Sequence, residues 1–262
     1  QGDLSVFMKI GFVINPYAGI GGSVALKGSD GADIVALALS RGAQPQAEKR
    51  AAIAMQKLVT ISSDASGLVI YTAKNDMGEN VLRDLGLPCT TVYEAKSTST
   101  AIDTKNAISQ FIDKKVDLIV FAGGDGTARD VLDAMTQKSA GIPVIGIPAG
   151  VKIHSSVYAA TPSSAGELID LIISGAALSL HESQVMDLDE NAFREGEVKA
   201  RCYGYLAVPV DDTRMQLIKQ GGLNHHEIAV QEIAEEVIEN METDVFYLIG
   251  SGSTTAEIMD QL

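Results

Sequence analysis

Asp117-Leu118-Ile119-Val120-Phe121-Ala122-Gly123-Gly124-Asp125-Gly126-Thr127 joins an apolar run to a glycine-rich turn, and helical spacing follows through about Gln137. An apolar run without alternation predicts a strand buried on both faces, as in a parallel sheet. The glycines let the backbone turn sharply and approach a ligand with no Cβ in the way. Because the turn opens into a helix, unpaired N–H groups and the positive end of the helix dipole face it, which suits phosphate oxygens. Asp125 would repel such an anion. Its expected roles are therefore to take a proton from an attacking hydroxyl or to hold Mg²⁺. The competing reading is a plain glycine-rich turn in which Asp125 caps the next helix.

Outward from this stretch, strands and helices alternate. Strands are expected at Lys9–Ile14, Leu68–Tyr71, Thr90–Tyr93 and Pro143–Ile147. Helices are expected at Ala32–Ser40, Ala47–Val59, Asp76–Leu85 and Thr100–Lys114. This order predicts an α/β fold with a parallel sheet covered on both faces. After about Leu178 the pattern changes. Leu180–Leu188 and Val198–Val208 read as an antiparallel hairpin, which places a domain boundary near residue 179. A helix at Glu227–Asn240, a strand at Val245–Ile249 and a last helix from Ser253 are expected beyond it. Ser253-Thr254 has Glu257 as a capping-box partner. That helix has no stop signal before Leu262, so the second domain is expected to be cut short. Met8 reads as a natural start and residues 1–7 as a vector remnant.

Three other loops follow expected strands, where open parallel sheets bind ligands. The first contains Asn15, Gly19, Gly21, Gly22 and Lys27; Lys27 either meets phosphate or is solvated. The second contains Gly150, Lys152, His154 and Ser155; His154 either orients a ribose or phosphate or is a core or capping histidine. The third is Gly250–Thr255, where Ser253 and Thr254 either meet ribose or phosphate or cap the helix. His225-His226-Glu227 reads as loop or helix start, because adjacent side chains do not share a side. Glu235 to Glu239 reads as a solvated helix face.

Composition narrows the classes. With 262 residues, 46% hydrophobic and 21% charged, the chain is an ordinary globular α/β sequence. A formal charge of −14 argues against a nucleic-acid partner and against an anionic membrane. A ligand phosphate would then need a local patch of amides, a few cations and a metal ion. No span for a membrane and no signal peptide is found, and Cys89 and Cys202 are expected as buried free thiols of a cytoplasmic protein.

Taken together, Asn15-Pro16-Tyr17-Ala18-Gly19-Ile20-Gly21-Gly22, Gly123-Gly124-Asp125-Gly126-Thr127-Ala128-Arg129-Asp130 and Pro148–Ser155 resemble the predicted ATP-NAD (or polyphosphate-NAD) kinases. These belong to the superfamily of NAD kinases and diacylglycerol kinases. The resemblance implies a Rossmann-like domain over 8–179 and a smaller β-rich domain over 180–262, with the active site in the cleft. It implies ATP and NAD as nucleotide substrates, Mg²⁺ as cofactor, and Asp125 as general base on the adenosine-ribose 2′-hydroxyl of NAD. A homo-oligomer is expected. The sequence departs from relatives by lacking a downstream Asn-Glu pair, and it has Ala128-Arg129-Asp130 where lipid kinases have a residue and then Asn-Glu. A lipid or other small-molecule acceptor, or a non-catalytic nucleotide-binding regulator, are the alternatives.

Overall fold

The computed structural model describes residues 8–20, 32–62, 67–96, 98–150, 153–188, 200–211, 230, 233–234, 237–238, 240–241, 245–250 and 252–262. The chain divides into two compact units, Gln1–Leu217 and Ile218–Leu262.

The first unit is built on β1 (Met8–Ile14), β2 (Leu68–Ala73), β3 (Cys89–Tyr93), β4 (Leu118–Gly123) and β5 (Val144–Pro148). They form one sheet in the order β3-β2-β1-β4-β5, with every neighbouring pair parallel. All six residues of β4 and all five of β5 are buried, as continuous apolar runs require when helices cover both faces. The covering helices are α1 (Ala32–Ser40), α2 (Ala47–Ile61), α3 (Glu79–Asp84), α4 (Ala101–Asp113), α5 (Asp125–Gln137) and α6 (Pro162–Ile173). A short 3₁₀ turn at Asn75–Met77 precedes α3, where one helix from Asp76 was expected; Gly78, at φ 139°, breaks the two apart.

Helix α6 was not anticipated, although its start is written in the sequence. Thr161 Oγ1 accepts from the Ser164 amide at 2.9 Å, and Pro162 occupies the first turn, where its missing N–H costs nothing.

The strands β6 (Ser179–Leu188) and β7 (Ala200–Val210) form the expected antiparallel hairpin. It packs against α5 and β5 within the first unit. Residues 157–159 run beside β5, with Gly146 N–H donating to Val157 O and Ala159 N–H to Gly146 O, both at 2.9 Å. One residue earlier, Ser156 N–H donates to Gln184 O of β6 at 2.9 Å. The segment thus ties the parallel sheet to the hairpin.

In the second unit, Val230, Ile233, Ala234, Val237 and Ile238 are helical, and α7 spans Ser253–Gln261. Val245–Ile249 forms no strand, contrary to expectation. Among the described residues no strand runs beside it to match its β-propensity, and Phe246 and Leu248 are fully exposed. The capping box is not formed either: Gly252 is the N-cap of α7, and Glu257 instead accepts from Gln261 Nε2 at 2.8 Å. His225-His226-Glu227, Glu235, Glu236 and Glu239 lie outside the described residues. The cysteines are free, but not buried as expected: Cys89 is half-buried and Cys202 exposed. Cys89 packs partly against the core from the edge strand β3, and Cys202 lies on the two-stranded hairpin.

Candidate active site

In an open α/β sheet, the ligand crevice opens at the carboxyl ends of the strands where the order reverses. Here that point lies between β1 and β4, which are adjacent in the sheet but far apart in the chain. The loops leaving β1, β4 and β5 meet there. Asn15 Nδ2 donates to Thr127 Oγ1 at 2.9 Å, and the Asn15 amide donates to Ala122 O at 3.0 Å. Ala149 N–H donates to Gly123 O at 2.9 Å.

Glycine is what lets these backbones touch. Gly19 has φ +73°, and a Cβ there would lie 2.6 Å from the Ala149 carbonyl oxygen. A Cβ on Gly150 would lie 2.9 Å from Gly124 Cα. Gly123 sits at the end of β4, Gly124 is the N-cap of α5, and Gly126 and Thr127 lie in its first turn. The first intrahelical bond runs from Ala128 N–H to Gly124 O at 3.1 Å. The amides of Asp125, Gly126 and Thr127 precede it and have no partner in the turn before them.

Asp125 does not cap α5. Its carboxylate turns to the loop after β5. Oδ2 accepts from the His154 amide at 2.8 Å and lies 3.0 Å from His154 Nδ1; Oδ1 accepts from the Ser155 amide at 3.0 Å. The side chain of Asp125 is 9% exposed and that of His154 29%. Ser155 is fully buried. Its hydroxyl donates to Met186 O and accepts from Met186 N–H, each at 2.9 Å, so it fastens the loop to β6. Ser155 therefore holds Asp125 with its amide and the hairpin with its side chain.

The model of the ATP-NAD kinase N-terminal domain matches residues 10–177, which include all three converging loops. The chain belongs to the ATP-NAD kinase family. Comparison with the curated proteins finds no match. Among solved structures, a diacylglycerol kinase from Bacillus anthracis str. Sterne is similar at 13% identity with a TM-score of 0.32; the likeness covers 75% of this chain and 60% of that chain.

Within this kinase-family domain, the structure brings together Asn15, Gly19, Gly123, Gly124, Asp125, Gly126, Thr127, Gly150, His154 and Ser155. Gly21, Gly22, Lys27 and Lys152 lie outside the described residues. Ser253 and Thr254 begin α7 in the second unit. No helix among the described residues is long and apolar enough to cross a membrane.

Tyr158 is a site residue the sequence reading missed. It is fully buried under the turn, donates to Gly124 O at 2.6 Å, and meets Phe121 edge-on at 5.4 Å. Gly146 makes room for it, since a Cβ there would lie 2.4 Å from the Tyr158 ring. The apolar residues around Tyr158 carry no signal of this role, which depends on a segment 34 residues from Gly124. Burial foremost, then the charges of Asp125, Asp187 and Asp130, hold its phenol well above the ordinary range. The folded phenol thus binds its proton more tightly than the unfolded one. The stability this confers is complete below the ordinary phenol value of about 10, and is lost as pH rises beyond it. Tyr158→Phe is expected to cost about 1 kcal/mol at neutral pH through the lost hydrogen bond. Its deficit should shrink in alkaline solution, where wild type alone must ionise or shield a buried phenol. Urea melts across pH check this; a deficit that widens with alkali contradicts it.

The resemblance implies magnesium, an ion that proteins usually hold through one or two carboxylates together with substrate phosphates and waters. Among the described residues no group of three His, Cys, Asp or Glu side chains could hold a metal. Both oxygens of Asp125 already accept contacts from His154 and Ser155. Each oxygen has two lone pairs, so Asp125 is the residue that would hold such an ion, with the nucleotide phosphates supplying the charge it would neutralise.

Proposed function

We propose that this chain transfers the γ-phosphoryl group of ATP, or a terminal unit of polyphosphate, to the adenosine-ribose 2′-hydroxyl of NAD, giving NADP. The observation that carries the reading is Asp125, a carboxylate at the head of α5 fixed by two backbone amides beside glycine turns that suit an anion. Membership of the ATP-NAD kinase family supports it. The incoming hydroxyl takes the place of the His154 ring at Oδ2, since that ring can rotate while the amides are fixed. Asp125 accepts the hydroxyl proton as the ribose oxygen bonds to phosphorus. The bond from phosphorus to the bridging oxygen breaks, and that oxygen keeps the electron pair and leaves as part of ADP or of the shortened polyphosphate. The proton then passes from Asp125 to solvent.

Catalysis of this kind rests on positioning and on charge stabilisation by donors set in advance. The Asp125, Gly126 and Thr127 amides would face donor oxygens, with Asn15 holding Thr127 in place. Residues 180–262 would form the β-rich partner domain, and the assembly would be a cytoplasmic homo-oligomer. The test is the full-length protein with labelled ATP or polyphosphate and an acceptor panel of NAD, diacylglycerol and sphingosine. Label in NADP is expected. Label in a lipid, with none in NADP, removes the NAD reading and keeps a kinase of the same superfamily.

A further inference from the structure

The face of α5 that carries Asp125 also carries Arg129 and Leu132, one and two turns on, and all three meet the hairpin or the loop attached to it. Arg129 Nη1 lies 2.9 Å from Asp187 Oδ2 on β6. Its guanidinium carbon lies 4.2 Å from the centre of the Tyr203 ring. The hairpin is shaped for this contact. Val185 pairs with Gly204 and Met186 with Cys202, so Tyr203 is an extra, bulged residue of β7. Gly204 has φ +159°, and a Cβ there would lie 2.9 Å from Leu132 Cδ2. Bulges of this kind re-aim a side chain, and here the ring is presented to Arg129.

The arginine is clamped edge-on by a carboxylate and face-on by a ring, yet its side chain remains 34% exposed. A guanidinium has five N–H donors in a rigid fork, and among the described residues Asp187 takes one of them. Helical side chains lean toward the helix N-terminus, and Asp187, on which the guanidinium rests, follows Met186, whose backbone is held by the same Ser155 that donates to Asp125. Arg201 also lies over the Tyr203 ring, at 5.4 Å. Asp133, another acid near Arg129, is paired with Lys105 at 2.6 Å. A chain of charge −14 that handles a polyphosphate needs local cations, and Arg129 is one that stays partly exposed.

We propose that Arg129, clamped by Asp187 and Tyr203, binds the phosphate chain of the phosphoryl donor beside Asp125. This deepens the reading above and rests on it. Calorimetry of the full-length protein with ATP and with inorganic tripolyphosphate, alongside NAD binding, tests it. Arg129→Met is expected to weaken both phosphate probes about tenfold or more, as for a lost charge-assisted contact, with NAD affinity held. Unchanged probe affinity overturns the proposal. So does an equal loss for NAD, which would mean that Arg129 only latches α5 to the hairpin. Should Arg129→Met not fold, Arg129→Lys replaces it. The lysine variant keeps the charge without the fork, is expected to weaken both probes by several-fold, and overturns the proposal if it binds them as wild type does. A wild type that binds neither probe also overturns it. A wild type that binds both, loses them with Arg129→Met and makes no NADP leaves the donor site standing and removes the NAD acceptor.

Discussion

Asp125→Asn in the full-length protein is expected to lower NADP formation by about 10²–10⁴-fold, the range by which a positioned general base contributes. The substitution also has a structural cost, which follows from the contacts. The carboxylate uses one oxygen for the His154 amide and the other for the Ser155 amide. An asparagine has one oxygen, so one of those N–H donors would face an NH₂ group. An unsatisfied buried donor costs roughly 1–3 kcal/mol. The variant should therefore melt several degrees lower as well as turn over slowly. Rates must be measured well below its midpoint, with binding of NAD and ATP measured separately. A variant that binds both nucleotides and loses turnover supports the base. A variant that makes NADP at the wild-type rate removes Asp125 from the chemistry.

The second large effect is on stability. Gly166→Ala is expected to destabilise the first unit by about 1–3 kcal/mol, the usual cost of overpacking. Helix propensity alone gives the opposite sign, because alanine in a helix interior is better than glycine by about 1 kcal/mol. Geometry decides between them. Gly166 lies in α6 where it crosses α2, and a Cβ would sit 2.3 Å from the Ala54 carbonyl oxygen and 3.0 Å from Lys57 Cβ. A backbone oxygen cannot rotate away, so the helices must part. The seam they share is lined by small and apolar side chains, including Ala51, Ala54, Ala165 and Leu168, which would lose contact. The Lys57–Glu167 ion pair across the seam, at 3.1 Å and about a third exposed on each side, is too screened to offset this. Denaturant melts of the variant read the sign directly, and a midpoint above wild type would show that the seam yields.

Both predictions use features that differ in how visible they were in the chain. Asp125 stood out because three glycines surround a carboxylate at a strand end. Gly166 gave no signal, since α6 itself was overlooked despite the Thr161-Pro162 start. Tyr158, Arg129 and Tyr203 were likewise silent. Arg129 was noted only as a departure from a lipid-kinase pattern, and its partner Asp187 is 58 residues away.

The sequence by itself determined the five strands of the parallel sheet, most of their covering helices, the hairpin, and the glycine turn at the end of β4. Those features rest on local periodicity and on the backbone freedom of glycine, which any short window of the chain contains. Only the tertiary structure decided that Asp125 faces His154 and Ser155 rather than capping its own helix, that Ser155 serves the hairpin, and that Val245–Ile249 forms no strand. Each of those outcomes depends on which distant segment arrives with a matching donor, acceptor or strand edge, and chain register across a fold is not a local property.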